Sequence, residues 1–146
     1  MITLATYQVV ASKEMLDQAF AIRHKVFVEE QGVPAVIERD NLDDKAMHMV
    51  VILPDGSIVG TGRLVTEGNR GKIGRMAVLP EFRRQGLGHQ LVLELVKIGI
   101  LIGLNTFYLH AQLIVVNFYK NVGFKPINNE VFLEAGIPHI SMELTV

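Results

Sequence analysis

The segment that most constrains this chain is a strand that runs into an arginine- and glycine-rich loop and leaves it as a long helix. The strand reads over Lys72 to Leu79 and is stopped by Pro80. A helix follows around His89 to Ile102, with Gly103 as its expected C-cap, and then a strand over Thr106 to Ala111. Two strands joined through a helix of this length pair in parallel, so a locally parallel pair is expected inside a mixed sheet.

The connecting loop, Met76-Ala77-Val78-Leu79-Pro80-Glu81-Phe82-Arg83-Arg84-Gln85-Gly86-Leu87-Gly88-His89, has its own chemistry. Two glycines let a ligand approach the backbone, and the first N–H groups of a helix are unsatisfied. Together they form an anion site suited to a phosphate or pyrophosphate, to which Arg83 and Arg84 can add charge-assisted contacts. Two other phosphate motifs do not fit. A Walker loop needs Gly-Lys-Ser or Gly-Lys-Thr, and the chain has neither. A dinucleotide fingerprint needs a third glycine where Leu91 stands.

The remaining elements arrange themselves around this unit. A first strand is expected over Ile2 to Val10, then Ser12 as an N-cap, then an amphipathic helix from Lys13 to Glu29 stopped by Gly32-Val33-Pro34. Ala35 to Asp44 reads as an acidic, irregular connection, most simply a solvated loop. Strands at Ala46 to Leu53 and Ile58 to Thr66 flank Pro54-Asp55-Gly56-Ser57, a strong hairpin signal. A short helix near Val115 to Val122, closed by Gly123, precedes strands at Phe124 to Ile127 and His139 to Leu144. The fold class is α/β (α+β), in one domain spanning residues 1–146.

Composition removes several functions. With 14 Lys and Arg against 15 Asp and Glu, the chain is no basic nucleic-acid module. With no cysteine, disulfides, thiolate zinc sites and cysteine acyl-enzymes are excluded. Asp44 and His48 are four residues apart without a third ligand in register, so no metal is expected. The longest apolar run, Leu91 to Leu104, is interrupted by Glu94 and Lys97 and is too short for a bilayer, and the N-terminus lacks a signal-peptide pattern. A cytoplasmic protein without membrane partners is expected.

Arg83-Arg84-Gln85-Gly86-Leu87-Gly88, after a strand ending Ala-Val-x-Pro, resembles the Arg/Gln-x-x-Gly-x-Gly/Ala signature of the GCN5-related N-acetyltransferases, or GNAT family. Asn117-Phe118-Tyr119-Lys120-Asn121-Val122-Gly123-Phe124 resembles that family's Asn…Phe-Tyr…Gly-Phe segment. The N-terminal half, with Arg23-His24-Lys25-Val26-Phe27 and the acidic positions Glu38, Asp40 and Asp43, is similar to a bacterial branch that includes the ElaA-like proteins. The resemblance implies a mostly antiparallel sheet of about seven strands with a central splayed parallel pair and about four flanking helices. It also implies acetyl-CoA as cosubstrate. Its contacts would be Met76, Ala77, Val78, Arg83, Arg84, Gln85, Gly86, Leu87, Gly88, His89, Asn117 and Tyr119.

The implied reaction is acetyl transfer to a primary amine by direct attack, most simply on a small molecule. Transfer to a protein or peptide amine, or CoA binding without turnover, stays open. Backbone groups of Met76 and Val78 would pair with the pantetheine arm, and Tyr119 would protonate the departing thiolate. Many relatives carry a glutamate base where this chain has Gly74 and Arg75. Glu38 and His110 are the candidate bases; the resemblance places Glu38, with Glu30, Asp40 and His48, in the segment that usually lines the acceptor pocket, and His110 ends the second splayed strand. Leu113-Ile114-Val115-Val116 is unusually apolar, and the mean hydropathy of +0.31 makes a homodimer contact there an alternative to core packing.

Overall fold

The structure, a computed structural model, describes residues 4–146. An eight-stranded sheet runs in the order β1 (Thr6–Val9), β2 (Met47–Ile52), β3 (Ile58–Glu67), β4 (Arg70–Val78), β5 (Thr106–Gln112), β8 (Ile137–Thr145) and β6 (Lys125–Pro126). The eighth strand, β7 (Phe132–Glu134), pairs on β8 and was not expected from the sequence. Of the strand expected over Ile2 to Val10, residues 6–9 are formed, while Ile2 and Thr3 lie outside the described residues. All pairings are antiparallel except β4 with β5, which is the predicted parallel pair.

Four α-helices cover the sheet: α1 (Lys13–Arg23), α2 (Ala35–Glu38), α3 (Leu87–Leu101) and α4 (Val116–Val122). The Ser12 hydroxyl caps α1 by accepting the Met15 N–H at 3.1 Å. The α-geometry stops earlier than the apolar spacing suggests. His24–Glu30 continues as a π-helix, closed by the Gln31 N–H on the carbonyl of Val26, five residues back. The wider turns still bury Val26 with Ile22 and Ala77, and they carry Glu30 and Gln31 out to the edge of the sheet.

On the other face, α3 buries Leu91, Val92, Leu95 and Val96 in one core with Val51, Leu64, Ile73, Phe107 and Leu109. The helix comes so close to β5 that a Cβ at Gly99 would lie 2.3 Å from the Phe107 ring. Of the apolar 113–116 run, Leu113 and Ile114 are exposed while Val115 and Val116 pack against this core.

Parallel pairing between β4 and β5 covers only Arg70↔Thr106, Gly71↔Phe107 and Lys72↔Tyr108, after which the strands part. On its other edge β4 has a bulge: Arg75 and Met76 together oppose Gly62 of β3. Arg75 sits there in the left-handed region at φ 52°, a conformation that costs a non-glycine residue about 1 kcal/mol or more.

The acidic connection corrects the expectation of a solvated loop. Glu38 and Asp43 are buried, in a network with three arginines. Arg23 donates to Glu38 Oε2 at 2.8 Å and to Asp43 Oδ1 at 2.7 Å. Arg63 donates to both oxygens of Asp40, at 2.7 and 2.9 Å, and to Asp43 Oδ1 at 2.8 Å. Arg75 donates to the Glu38 carbonyl at 3.0 Å and to Asp40 Oδ2 at 3.1 Å. His48, weighed as a base, is buried with Nε2 on the Asp43 carbonyl at 2.8 Å. Burial would raise the Asp43 carboxyl, but hydrogen bonds from Arg23, the Asp40 N–H and Arg63 hold it far below the usual carboxylate range.

Two outcomes follow from this packing. Gly99→Ala gains up to about 1 kcal/mol of helix propensity, but the clash with Phe107 outweighs it, giving a net loss of about 1–2 kcal/mol in urea unfolding. Asp43→Asn leaves buried guanidinium charge uncompensated and costs about 3 kcal/mol or more at pH 7. Because the folded carboxyl is depressed, its stabilisation is present above about pH 4 and lost as pH falls below it. Unfolding free energies at pH 7 and pH 3 should therefore differ less in Asp43→Asn than in the parent.

Candidate active site

Where β4 and β5 part, a cleft of about 860 Å³ opens between them. Its walls include Gly74, Met76, Ala77 and Val78 from β4, Leu109, His110 and Gln112 from β5, and Tyr119 from α4. The Leu79 N–H bonds to the Val59 carbonyl at 2.9 Å. Strand alternation therefore turns the N–H and C=O of Val78 away from β3 and into the gap. Arg83 Nε reaches that carbonyl at 2.8 Å, while the Val78 N–H has no β5 partner opposite it. A backbone donor left open on a splayed strand is a ready partner for an extended ligand.

The glycine loop closes one end. Gly86, at φ 82°, caps α3 in a left-handed conformation, and a Cβ there would meet nothing within 4 Å. Arg84, at φ 64°, is exposed beside it. Gly88 lies against Phe118 of α4, where a Cβ would sit 3.3 Å from the ring. The start of α3 thus presents its N–H groups to open space at the cleft mouth. Leu87 is buried beneath the loop and His89 lines the cleft. Arg83, expected on a phosphate, is held by Glu30 in a paired contact with both oxygens at 2.7 Å. Gln85, in the loop, and Asn117, in the first turn of α4, are exposed and are not among the residues that line the cleft.

Of the base candidates, Glu38 reaches the cleft wall, but its Oε2 is taken by Arg23 at 2.8 Å and Arg75 at 3.3 Å. Asp40 is committed to Arg63 and Arg75 in the same way. His110 is different, because it lines the cleft with Nδ1 on Glu134 Oε1 at 2.8 Å. Glu134 and His139, which also line the cleft, were not singled out from the sequence. Their only sequence signal is the short Phe132–Glu134 stretch before Ala135-Gly136.

Tyr119 lines the cleft, and Tyr108 lies behind it, edge-on to the His110 ring at 6.1 Å. Burial, and the hydrogen bond Tyr108 donates to Glu67 at 2.6 Å, push its pKa up to about 12. Tyr119 is buried, its ring edge-on to Phe118 and Phe124, and burial pushes its hydroxyl well above the ordinary phenol value. Gly74 adds no side chain, and a Cβ there would meet nothing within 4 Å. Among the described residues, no group of three or more His, Asp or Glu could hold a metal, and no helix is long and apolar enough to cross a membrane.

The family model for the acetyltransferase (GNAT) domain matches residues 8–146. YjcF of Bacillus subtilis, an uncharacterised N-acetyltransferase, is 40% identical over 132 residues, covering 90% of this chain and 93% of its own. The crystal structure of an acyl-CoA N-acyltransferase from Pseudomonas aeruginosa is 31% identical with a TM-score of 0.82, covering 97% of this chain and 98% of its own. Escherichia coli ElaA is 28% identical with a TM-score of 0.83, covering 96% and 99%. With its sheet opened between β4 and β5 and a glycine loop at the mouth, this chain belongs to the GNAT family of acetyltransferases.

Proposed function

We propose that the protein transfers an acetyl group from acetyl-CoA to the primary amine of a small molecule. The observation that carries this reading is the cleft itself: an unpaired β4 edge leading to an open glycine loop at the start of α3. The pyrophosphate would lie on the N–H groups after Gly86, with Arg84 close by. The pantetheine arm would occupy the gap along Met76, Ala77 and Val78, and the Val78 N–H would donate to the thioester carbonyl. That hydrogen bond strengthens as the oxygen gains charge during attack, which favours the transition state over the bound substrate.

An alkyl amine with a pKa near 10.4 is neutral only about one part in a thousand at pH 7, so attack needs a base. His110 takes that role in this reading, because Glu38 and Asp40 are committed to arginines. Tyr119 supplies the proton for the departing thiolate. Its raised pKa keeps the phenol protonated, and the same dry surroundings raise the proton affinity of a thiolate beside it. A small acceptor is favoured over a peptide by the hydrogen bond from Gln112 Nε2 to Gln31 Oε1 at 2.9 Å. Together with the Glu30–Arg83 pair, it ties the π-helix to both sides of the cleft.

The test is free-thiol release from acetyl-CoA over a panel of small primary amines. At least one amine should give saturable turnover. With that acceptor, Tyr119→Phe should lower kcat by roughly 10²-fold and leave KM for acetyl-CoA nearly unchanged. Tight acetyl-CoA binding without amine-dependent thiol release would make the protein a CoA-binding module. An unchanged kcat in Tyr119→Phe would remove the hydroxyl from the chemistry.

A further inference from the structure

The β7–β8 hairpin carries a carboxylate into the cleft to which the acetyl-transfer reading gives no task. Glu134 ends β7, and the two residues after it, Ala135 at φ 53° and Gly136 at φ 76°, make a tight turn into β8. Left-handed backbone at both central positions is the mark of a type I′ hairpin, whose twist matches that of its strands. Ala135 pays a conformational penalty there that glycine would not. The register fixes where the turn lies: Glu134 opposes Ile137 on β8, and β8 runs beside β5 with Ser141 opposite His110.

This placement sets the protonation geometry of His110. Its Nδ1 is 2.8 Å from Glu134 Oε1, and the hydrogen bond and nearby charge of His110 hold the Glu134 carboxyl below its ordinary range. A carboxylate can only accept, so Nδ1 carries the hydrogen, and in a neutral imidazole Nε2 then keeps the lone pair. The ring is held edge-on by Phe132 at 5.0 Å and Tyr108 at 6.1 Å. The other groups facing Glu134 do not compete for this contact. His139 is anchored by Nδ1 on the Ile137 carbonyl at 2.6 Å and keeps its Nε2 3.7 Å from Glu134. Lys72 acts on Glu134 only through its charge.

We propose that Glu134 is a positioning residue: it fixes the His110 tautomer and ring orientation so that Nε2 can take the acceptor's proton. This rests on the reading of His110 as the base. In the balanced step, the acceptor gives its ammonium proton to solvent and attacks as the neutral amine; its nitrogen bonds the acetyl carbon and loses one further proton to His110 Nε2. The carbon–sulfur bond breaks, the thiolate takes the Tyr119 proton, and His110 returns its proton through solvent to restore the phenol. Glu134 remains ionised throughout and stabilises the imidazolium formed in between.

Two measurements test this. Long-range proton–nitrogen NMR, recorded where the His110 signals show the ring to be neutral, reads its tautomer without any substrate. The parent should show hydrogen on Nδ1, and Glu134→Gln, whose amide can donate as well as accept, should move population to the Nε2–H form. In steady-state assays Glu134→Gln should lower kcat at least about 10-fold with KM for acetyl-CoA within about twofold, and Glu134→Asp should recover part of the loss. His110→Gln should lose roughly 10²-fold or more. If His110 matters while Glu134→Gln keeps both tautomer and kcat, the positioning role fails and the base assignment stands. A parent-like rate in His110→Gln would overturn the base assignment and this role with it. Hydrogen found on Nε2 in the parent overturns the proposal even where a variant does not fold.

Discussion

The buried contact of Arg23, Arg63 and Arg75 with Glu38, Asp40 and Asp43 is the interaction on which the rest of this fold depends. Taking Arg23, Arg63, Glu38 and Asp43 out of water, with Asp40 and Arg75 half-buried beside them, is costly, and such a cluster adds little net stability over a well-packed apolar one. It gives placement instead. Arg75 is held from α2 and the loop after it, and this contact keeps β4 in a bulge that an unanchored arginine would have little reason to adopt. The bulge sits just beyond the last β4–β5 pair, where the two strands separate. The network thus fixes α1, the acidic segment and the opening of the sheet relative to one another.

From that opening the site assembles by short steps. β4 turns the Val78 N–H into the gap, the glycine loop ends the gap at the start of α3, and α4 brings Tyr119 to its wall. β5 contributes His110 on the face that also holds Gln112, and the β7–β8 hairpin reaches over to meet it. On the α2 side Glu38 and Asp40 are paired with arginines, whereas on the opposite wall His110 is paired with Glu134. Between the two walls, the space over Gly74 is open.

Local signals made part of this legible in the sequence. The Asp55-Gly56 turn and the Gly86–Gly88 loop need particular backbone conformations, so they mark a hairpin and a helix start wherever they occur. The parallel pair followed from the helix between its strands. The buried charge network was not legible because its partners lie 15 to 37 residues apart, and an acidic run reads as solvated until those arginines are placed. β7 escaped notice because three residues carry no periodicity, and Ala135 is an unusual residue for its turn. The π-helix keeps the apolar spacing of an α-helix closely enough that the sequence shows no break at His24.

The central claim is that the open edge of β4 receives acetyl-CoA, and hydrogen exchange at two neighbouring amides tests it most directly. Leu79 donates to the Val59 carbonyl, whereas the Val78 N–H faces the gap. Without ligand, the Val78 amide should exchange faster than that of Leu79. Saturating acetyl-CoA should slow Val78 by about 10-fold or more beyond any change at Leu79. Equal exchange of the two amides in the free protein, or acetyl-CoA binding that protects other segments and leaves Val78 unchanged, would contradict the account.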